Sequence, residues 1–130
     1  MSKVKILIAD DEPAVLEIMA RKVTAEGFDV VSAKDGQEAW DKIQSELPDI
    51  VLLDLVMPHM DGISVLSHLR ATPPSKKWIP VVIISALGES EHLKKAYELK
   101  ADHYLVKPVR LPDVIKTIHL MVSLIPLRNE

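Results

Sequence analysis

Five short apolar runs, separated by segments of helical spacing, leave few folds open to this chain. The runs are Val4–Ala9, Asp29–Ala33, Ile50–Leu53, Val81–Ser85 and Tyr104–Val106. Three of them are nearly continuous in Val, Ile and Leu. Strands read that way when both faces of their sheet are covered, as in a parallel sheet. The intervening segments repeat at helical spacing: Leu16, Met19 and Val23; Ala39, Ile43 and Leu47; Leu66 and Leu69; Leu93 and Ala96. The last segment places Ile115, Ile118, Val122 and Ile125 on one arc, which reads as its inward face.

Turn and cap residues agree. Asp11 or Glu12 is placed to cap the first helix ahead of Pro13. Asp35-Gly36 reads as a turn, Pro48-Asp49 separates the second helix from the third strand, Asp61 is placed to cap the third helix, and 73–80 reads as a loop. The alternation βαβαβαβαβα requires right-handed crossovers and a parallel sheet with helices on both faces. The expected fold is α/β: a doubly wound (βα)5 flavodoxin-like three-layer sandwich with strand order 2-1-3-4-5. That order is borrowed from known folds with this alternation and is not dictated by the pattern.

Composition narrows the function. At 130 residues and 48% hydrophobic content, the chain suits one domain with a real core. The net charge is −3 and the lysines form isolated pairs (Lys76-Lys77, Lys94-Lys95), so direct nucleic-acid binding is disfavoured. With no cysteine, disulfide, thiol-nucleophile and zinc-thiolate chemistry are excluded. The N-terminus lacks a signal-peptide core, and the purest apolar run, 79–87, is far shorter than the roughly 20 residues of a membrane span. The expectation is a soluble cytoplasmic protein without membrane contact.

In doubly wound sheets, ligands gather beyond the carboxyl ends of the strands. There the first strand ends in Asp10-Asp11, the third in Asp54, the fourth in Ser85 and the fifth in Lys107-Pro108. Taken singly, each has an ordinary reading: a helix cap, a loop acid, a strand-ending serine, a solvated lysine. Five suitable residues at four strand ends make the functional reading the better one. Close carboxylates repel one another, and a hard cation such as Mg²⁺ resolves this with carboxylates, waters and phosphate oxygens. A carboxylate held there is able to attack a phosphoryl donor, with Lys107 and Ser85 assisting the transferring group.

These residues lie in segments that resemble the receiver domains of two-component response regulators. The matching pieces are Ile6–Glu12, Asp49–Pro58, Met60-Asp61-Gly62, Pro80–Ala86 and Ala101–Pro108, within a likeness running from Lys3 to about Ile125. The borrowed strand order is one that receivers themselves exemplify. The resemblance implies a receiver domain over 3–125, with 126–130 as a C-terminal tail or the start of a linker. It implies phosphoryl acceptance on Asp54 and Mg²⁺ held by Asp10, Asp11, Asp54 and the carbonyl of Val56. It gives Ser85 as the switch hydroxyl, Tyr104 as the switch aromatic, Lys107 as the phosphate contact and a cis bond between Lys107 and Pro108. The implied partners are a sensor histidine kinase or a histidine phosphotransfer protein, and a downstream target or output domain. The signalling face would be the fourth helix, fifth strand and fifth helix, which also offers a possible homodimer surface. No enzyme activity beyond self-catalysed phosphoryl acceptance is implied.

The chain departs from the family pattern in places. Lys100-Ala101 stands where Gly-Ala is frequent, so a positive φ at Lys100 would be strained. Val56 and Leu87, two residues after Asp54 and Ser85, are apolar and unable to orient an attacking water, which points to slow loss of phosphate. On the last helix, Leu120 and Leu124 would form an outward stripe, continued by Leu127 if the helix passes Pro126. The Met1 start and lack of a long linker favour a stand-alone receiver over a piece of a longer regulator.

Rival readings are weaker. Phosphatases that use an aspartyl phosphate need an acid where Val56 stands. The four glycines form no phosphate-binding loop. His59, His68, His92, His103 and His119 show no metal-ligand spacing. A phosphorylation-independent interaction module on the same fold is the remaining alternative.

Overall fold

The computed structural model describes residues 3–86 and 90–128. The elements run β1 (Lys5–Ala9), α1 (Pro13–Ala25), β2 (Asp29–Ala33), α2 (Gly36–Glu46), β3 (Ile50–Asp54), α3 (Gly62–Ala71), β4 (Val81–Ser85), α4 (Ser90–Glu98), β5 (His103–Val106) and α5 (Leu111–Arg128). All strand pairs are parallel, in the order β2-β1-β3-β4-β5. The expected strands are all present, shifted at most one residue. The consequential shift is in β3, which takes in Asp54 as its last residue, opposite Ile84.

Alternation along the central strands divides the interior into two layers. Leu7, Ala9, Val51, Leu53, Val81 and Ile83 face α2, α3 and α4. Ile6, Ile8, Ile50, Leu52, Val82 and Ile84 face α1 and α5. Every residue of β3 and β4 is buried, which is why those runs read as continuous rather than alternating.

Helix starts follow local chemistry, with two corrections to the sequence reading. Asp35 is a helix cap: its side chain accepts from Glu38 N at 2.8 Å, and Gly36 begins α2. Asp61 caps α3 through Ser64 N, also at 2.8 Å. Glu12 occupies the cap position of α1 ahead of Pro13, but its side chain makes no cap bond. On α5 the buried residues are Val114, Ile118 and Met121, with Ile115, Val122 and Ile125 partly buried beside them. Leu124 also packs against this layer, so no outward Leu120–Leu124 stripe exists; Leu120 alone is exposed. The helix does pass Pro126, but the Leu127 side chain lies outside the described residues, as does Leu87.

The amino-end edge of the sheet is tied together by side chains. Arg70 on α3 donates to the carbonyls of Ile79, Leu99 and Lys100 and to the Asp102 carboxylate, at 3.0–3.3 Å. Asp102 also accepts from Val81 N at 2.8 Å. The exit of α4 and the entries of β4 and β5 are thereby joined to α3. On the other side Asp49 accepts from Lys5 N at 2.8 Å and pairs with Lys77.

Lys100 adopts φ +62°. It is the left-handed residue that ends α4, with Lys100 N bonded to Tyr97 O and Ala101 N to Ala96 O. A side chain in this conformation is disfavoured, and glycine is not. Lys100→Gly is expected to raise stability by roughly 0.5–1 kcal/mol. The check is a urea titration, in which the midpoint should rise with an unchanged slope.

Candidate functional site

The carboxyl ends of β1, β3 and β5 bring four of the sequence-identified residues into one cluster. Asp10 follows β1 and is 1% exposed; Asp54 ends β3 and is 4% exposed. Asp11 lies beside them on the surface. One carboxylate oxygen from each of the three lies within 4.8 Å of the others. Lys107, just past β5, reaches across: its Nζ is 2.9 Å from Asp54 Oδ2, 3.7 Å from Asp10 Oδ2 and 3.8 Å from Glu12 Oε1. The Lys107-Pro108 bond is cis.

Backbone donors fix the acids. Asp10 Oδ1 accepts from Glu12 N at 2.9 Å, and Asp54 Oδ1 accepts a longer bond from Val56 N at 3.4 Å. Asp10 Oδ2 is buried with no hydrogen-bond partner. A buried carboxylate oxygen in that state is costly unless a cation satisfies it. The set is all oxygen, acidic and partly desolvated, and it fits a hard divalent cation such as Mg²⁺.

Burial raises the carboxyl pKa of both Asp10 and Asp54, against the lowering effects of Lys107 and nearby N–H donors. For Lys107, burial works to lower the ammonium pKa, yet its bond to Asp54 and the charges of Asp54, Asp10 and Glu12 carry it upward. The two partners of one ion pair thus both shift up. The geometry explains this: Asp54 is far more enclosed than Lys107, so desolvation outweighs pairing only on the acid side.

Ser85 ends β4 fully buried, and its Oγ has no hydrogen-bond partner. Tyr104, on β5 opposite Ile83, also has an enclosed and unpartnered hydroxyl. Its ring packs against the α2–α3–α4 layer and stacks on Tyr97 of α4, with centroids 6.5 Å apart and planes at 19°. Burial, followed by the nearby Tyr97 and Asp102, raises the Tyr104 pKa.

The sequence reading missed two contributors. Glu12 was taken as a helix cap, and its carboxylate instead faces Lys107. The glycines were set aside as a phosphate-binding loop, with Gly36 read as a turn and Gly62 noted only within the Met60-Asp61-Gly62 match, yet these two set the β3–α3 connection. A Cβ on Gly62 would stand 2.3 Å from the Asp54 carbonyl oxygen, and one on Gly36 would stand 1.6 Å from the Met60 carbonyl oxygen. The available signal was Asp61-Gly62 at a fixed distance after Asp54.

A groove of about 620 Å³ along α1, lined by Pro13, Leu16, Ala20 and Ser32 among others, lies away from the acids. A smaller one, about 400 Å³, touches Asp10, Glu12 and Lys107. Among the described residues no helix is long and apolar enough to cross a membrane.

Comparison with known proteins agrees with this fold. A sequence model of the response regulator receiver domain matches residues 6–119. Response regulator RR06 of Streptococcus pneumoniae is 38% identical over 117 residues, covering 90% of this chain and 52% of that protein. The transcriptional regulatory protein PdtaR of Mycobacterium tuberculosis is 36% identical over 120 residues, covering 92% and 57%. The chain spans about half the length of the curated relatives it matches. Among solved structures, the receiver domain of the Francisella response regulator 1452 matches with TM-score 0.81 and 32% identity, covering 92% of this chain and 96% of that one. A CheY-like receiver domain protein from Methanospirillum hungatei matches with TM-score 0.86 and 26% identity, covering 94% and 95%. The chain belongs to the receiver-domain family of two-component response regulators.

Proposed function

We propose that this receiver is a phosphorylation switch in which Asp54 takes a phosphoryl group from a sensor histidine kinase or a histidine phosphotransfer protein. The observation that carries the reading is the buried Asp54 carboxylate, 2.9 Å from Lys107 Nζ and clustered with Asp10 and Asp11. An Asp54 oxygen attacks phosphorus and forms a new P–O bond. The bond from phosphorus to the donor's imidazole nitrogen breaks, and its electron pair leaves with the imidazole. Lys107 neutralises charge on the transferred group, and the free Ser85 hydroxyl donates to one of its oxygens. Asp10, Asp11, Asp54 and the Val56 carbonyl are the residues that would hold Mg²⁺, whose chemistry there is to offset the repulsion of the acids and the phosphoryl charge.

The signal leaves as a population shift. Ser85 is drawn toward the phosphoryl group, Tyr104 moves into the space it vacates, and the face of α4, β5 and α5 changes. Tyr97, Val106 and Leu120 are exposed on those elements, suiting the face to a downstream target, an output domain or a second copy. In this reading 3–125 form the receiver, it works in the cytoplasm, and it catalyses nothing beyond its own phosphorylation.

Incubation with Mg²⁺ and a small acyl phosphate, followed by intact-mass measurement, should add one phosphoryl group to the wild type and none to Asp54→Asn. No addition to the wild type would favour a phosphorylation-independent interaction module. The metal reading has its own check in thermal denaturation. Burial raises the Asp10 pKa, so its ionised form weakens the fold once the pH exceeds the unfolded carboxyl value of 3.8. At neutral pH without divalent cations, Asp10→Asn should therefore melt roughly 2–8 °C above the wild type. It should also lose the rise in melting temperature that Mg²⁺ gives the wild type; a mutant that keeps the full rise would exclude Asp10 as a ligand. Val56 is 51% exposed, and its side chain has no polar group to orient water. The phosphorylated protein should thus lose its phosphate slowly, and Val56→Asn should speed the loss several-fold by intact mass over time.

A further inference from the structure

Tyr104 carries an enclosed hydroxyl without a partner, so hydrogen bonding does not fix its side chain. Its ring is fixed by packing, and the most distinctive contact is the stack on Tyr97. Tyr97 is no core residue. It is 73% exposed, while the inward face of α4 is made by Leu93 and Ala96. The backbone that presents Tyr97 is anchored a few residues on, where Arg70 holds the carbonyls of Leu99 and Lys100 at 3.3 and 3.0 Å. Of the two stacked rings, one is thus offered from a fixed helix end, and the other belongs to the residue assigned to move.

We propose that Tyr97 is a positioning residue of the switch: by stacking on Tyr104 it holds that ring in the placement that accompanies the Lys107–Asp54 bond. This rests on the switching role proposed above for Tyr104. An aromatic pair in this near-parallel geometry shifts a two-state balance by roughly two- to tenfold. Losing the stack moves Tyr104 toward its phosphorylated placement before any phosphoryl group arrives. Because the coupling is reciprocal, it also makes phosphorylation easier by a similar factor.

The chain has two tyrosines, both in this contact, so 3-fluorotyrosine labelling gives one ¹⁹F resonance for each. Tyr97→Phe assigns the Tyr104 resonance and keeps an aromatic ring; Tyr97→Leu keeps apolar bulk without the ring. Spectra are recorded before and after treatment with Mg²⁺ and a small acyl phosphate, with intact mass reporting phosphorylation. In untreated Tyr97→Leu, the Tyr104 resonance should be displaced toward the position it takes in the phosphorylated wild type. Phosphorylation of that variant should be two- to tenfold faster, and Tyr97→Phe should behave as wild type on both counts. A Tyr104 resonance that moves in Tyr97→Leu without approaching the phosphorylated position, with an unchanged rate, would show a mere neighbour and overturn the proposal. So would phosphate uptake that leaves the wild-type Tyr104 resonance in place, which spares the Asp54 chemistry. A wild type that gains no phosphoryl mass would overturn the site reading, and this inference with it.

Discussion

Two carboxylates, Asp10 and Asp54, are taken out of water at the ends of adjacent strands, and burial makes each harder to ionise. Lys107 answers part of that cost for Asp54 at 2.9 Å, while Asp10 Oδ2 accepts no hydrogen bond and has the Lys107 ammonium no nearer than 3.7 Å. A fold tolerates such a site only if the surrounding burial is ample. Here the strands that carry the acids supply it, since Leu7 and Ile8 of β1 and Leu52 and Leu53 of β3 are inaccessible. Each such side chain contributes on the order of 1.5–3 kcal/mol by leaving water. The continuous apolar runs and the acids that terminate them are therefore parts of one arrangement: the runs make the sheet stable enough to hold charge at its rim.

The connection from β3 to α3 shows how tightly that rim is built. Gly62 N donates to Leu55 O at 2.8 Å, and the absence of a side chain lets α3 start against the Asp54 carbonyl. Gly36 lets the start of α2 press on Met60 from the other side. Between these two close approaches the chain turns through His59, which takes φ +69°. A non-glycine residue persists in that conformation only where its surroundings impose it. The loop that carries Val56 past Asp54 is thus clamped at both ends.

Much of this was legible in the sequence, for identifiable reasons. Parallel strands buried on both faces write themselves as Ile50–Leu53 and Val81–Ser85, and the chemistry of an open sheet sits where those runs stop. Asp10, Asp11, Asp54 and Lys107 were found that way, before any contact between them was known. What escaped depends on side-chain direction rather than position. Glu12 looked like a cap because it precedes Pro13, but its carboxylate faces Lys107. Leu124 looked exposed because four residues separate it from Leu120, yet α5 is turned so that Val114, Ile118 and Met121 face the sheet and Leu124 packs beside them. Gly36 read as a turn because Asp-Gly usually is one; only the approach of Met60 shows why glycine is required. Spacing gives the arc of a helix but not its rotation against the sheet.

The opposite edge of the sheet bears on how a change at Asp54 could travel. There Arg70 and Asp102 bind the exit of α4 to the entries of β4 and β5, and Asp49 binds the entries of β1 and β3 to Lys77. These contacts lie far along the strands from the acids and hold the elements in register. Among the described residues, the buried side-chain atoms without a hydrogen-bond partner, Asp10 Oδ2, Ser85 Oγ and Tyr104 Oη, belong instead to the mouth and to the strand beside it. A buried hydroxyl without a hydrogen-bond partner gains by moving toward a new acceptor, whereas Arg70, already donating to four acceptors, does not. In the switch proposed for Asp54, a phosphoryl group draws on Ser85 and Tyr104 and leaves the Arg70 clasp intact. In that switch the groups free to move are Ser85 at the end of β4 and Tyr104 on β5, because among the described residues theirs are the buried hydroxyls without a hydrogen-bond partner.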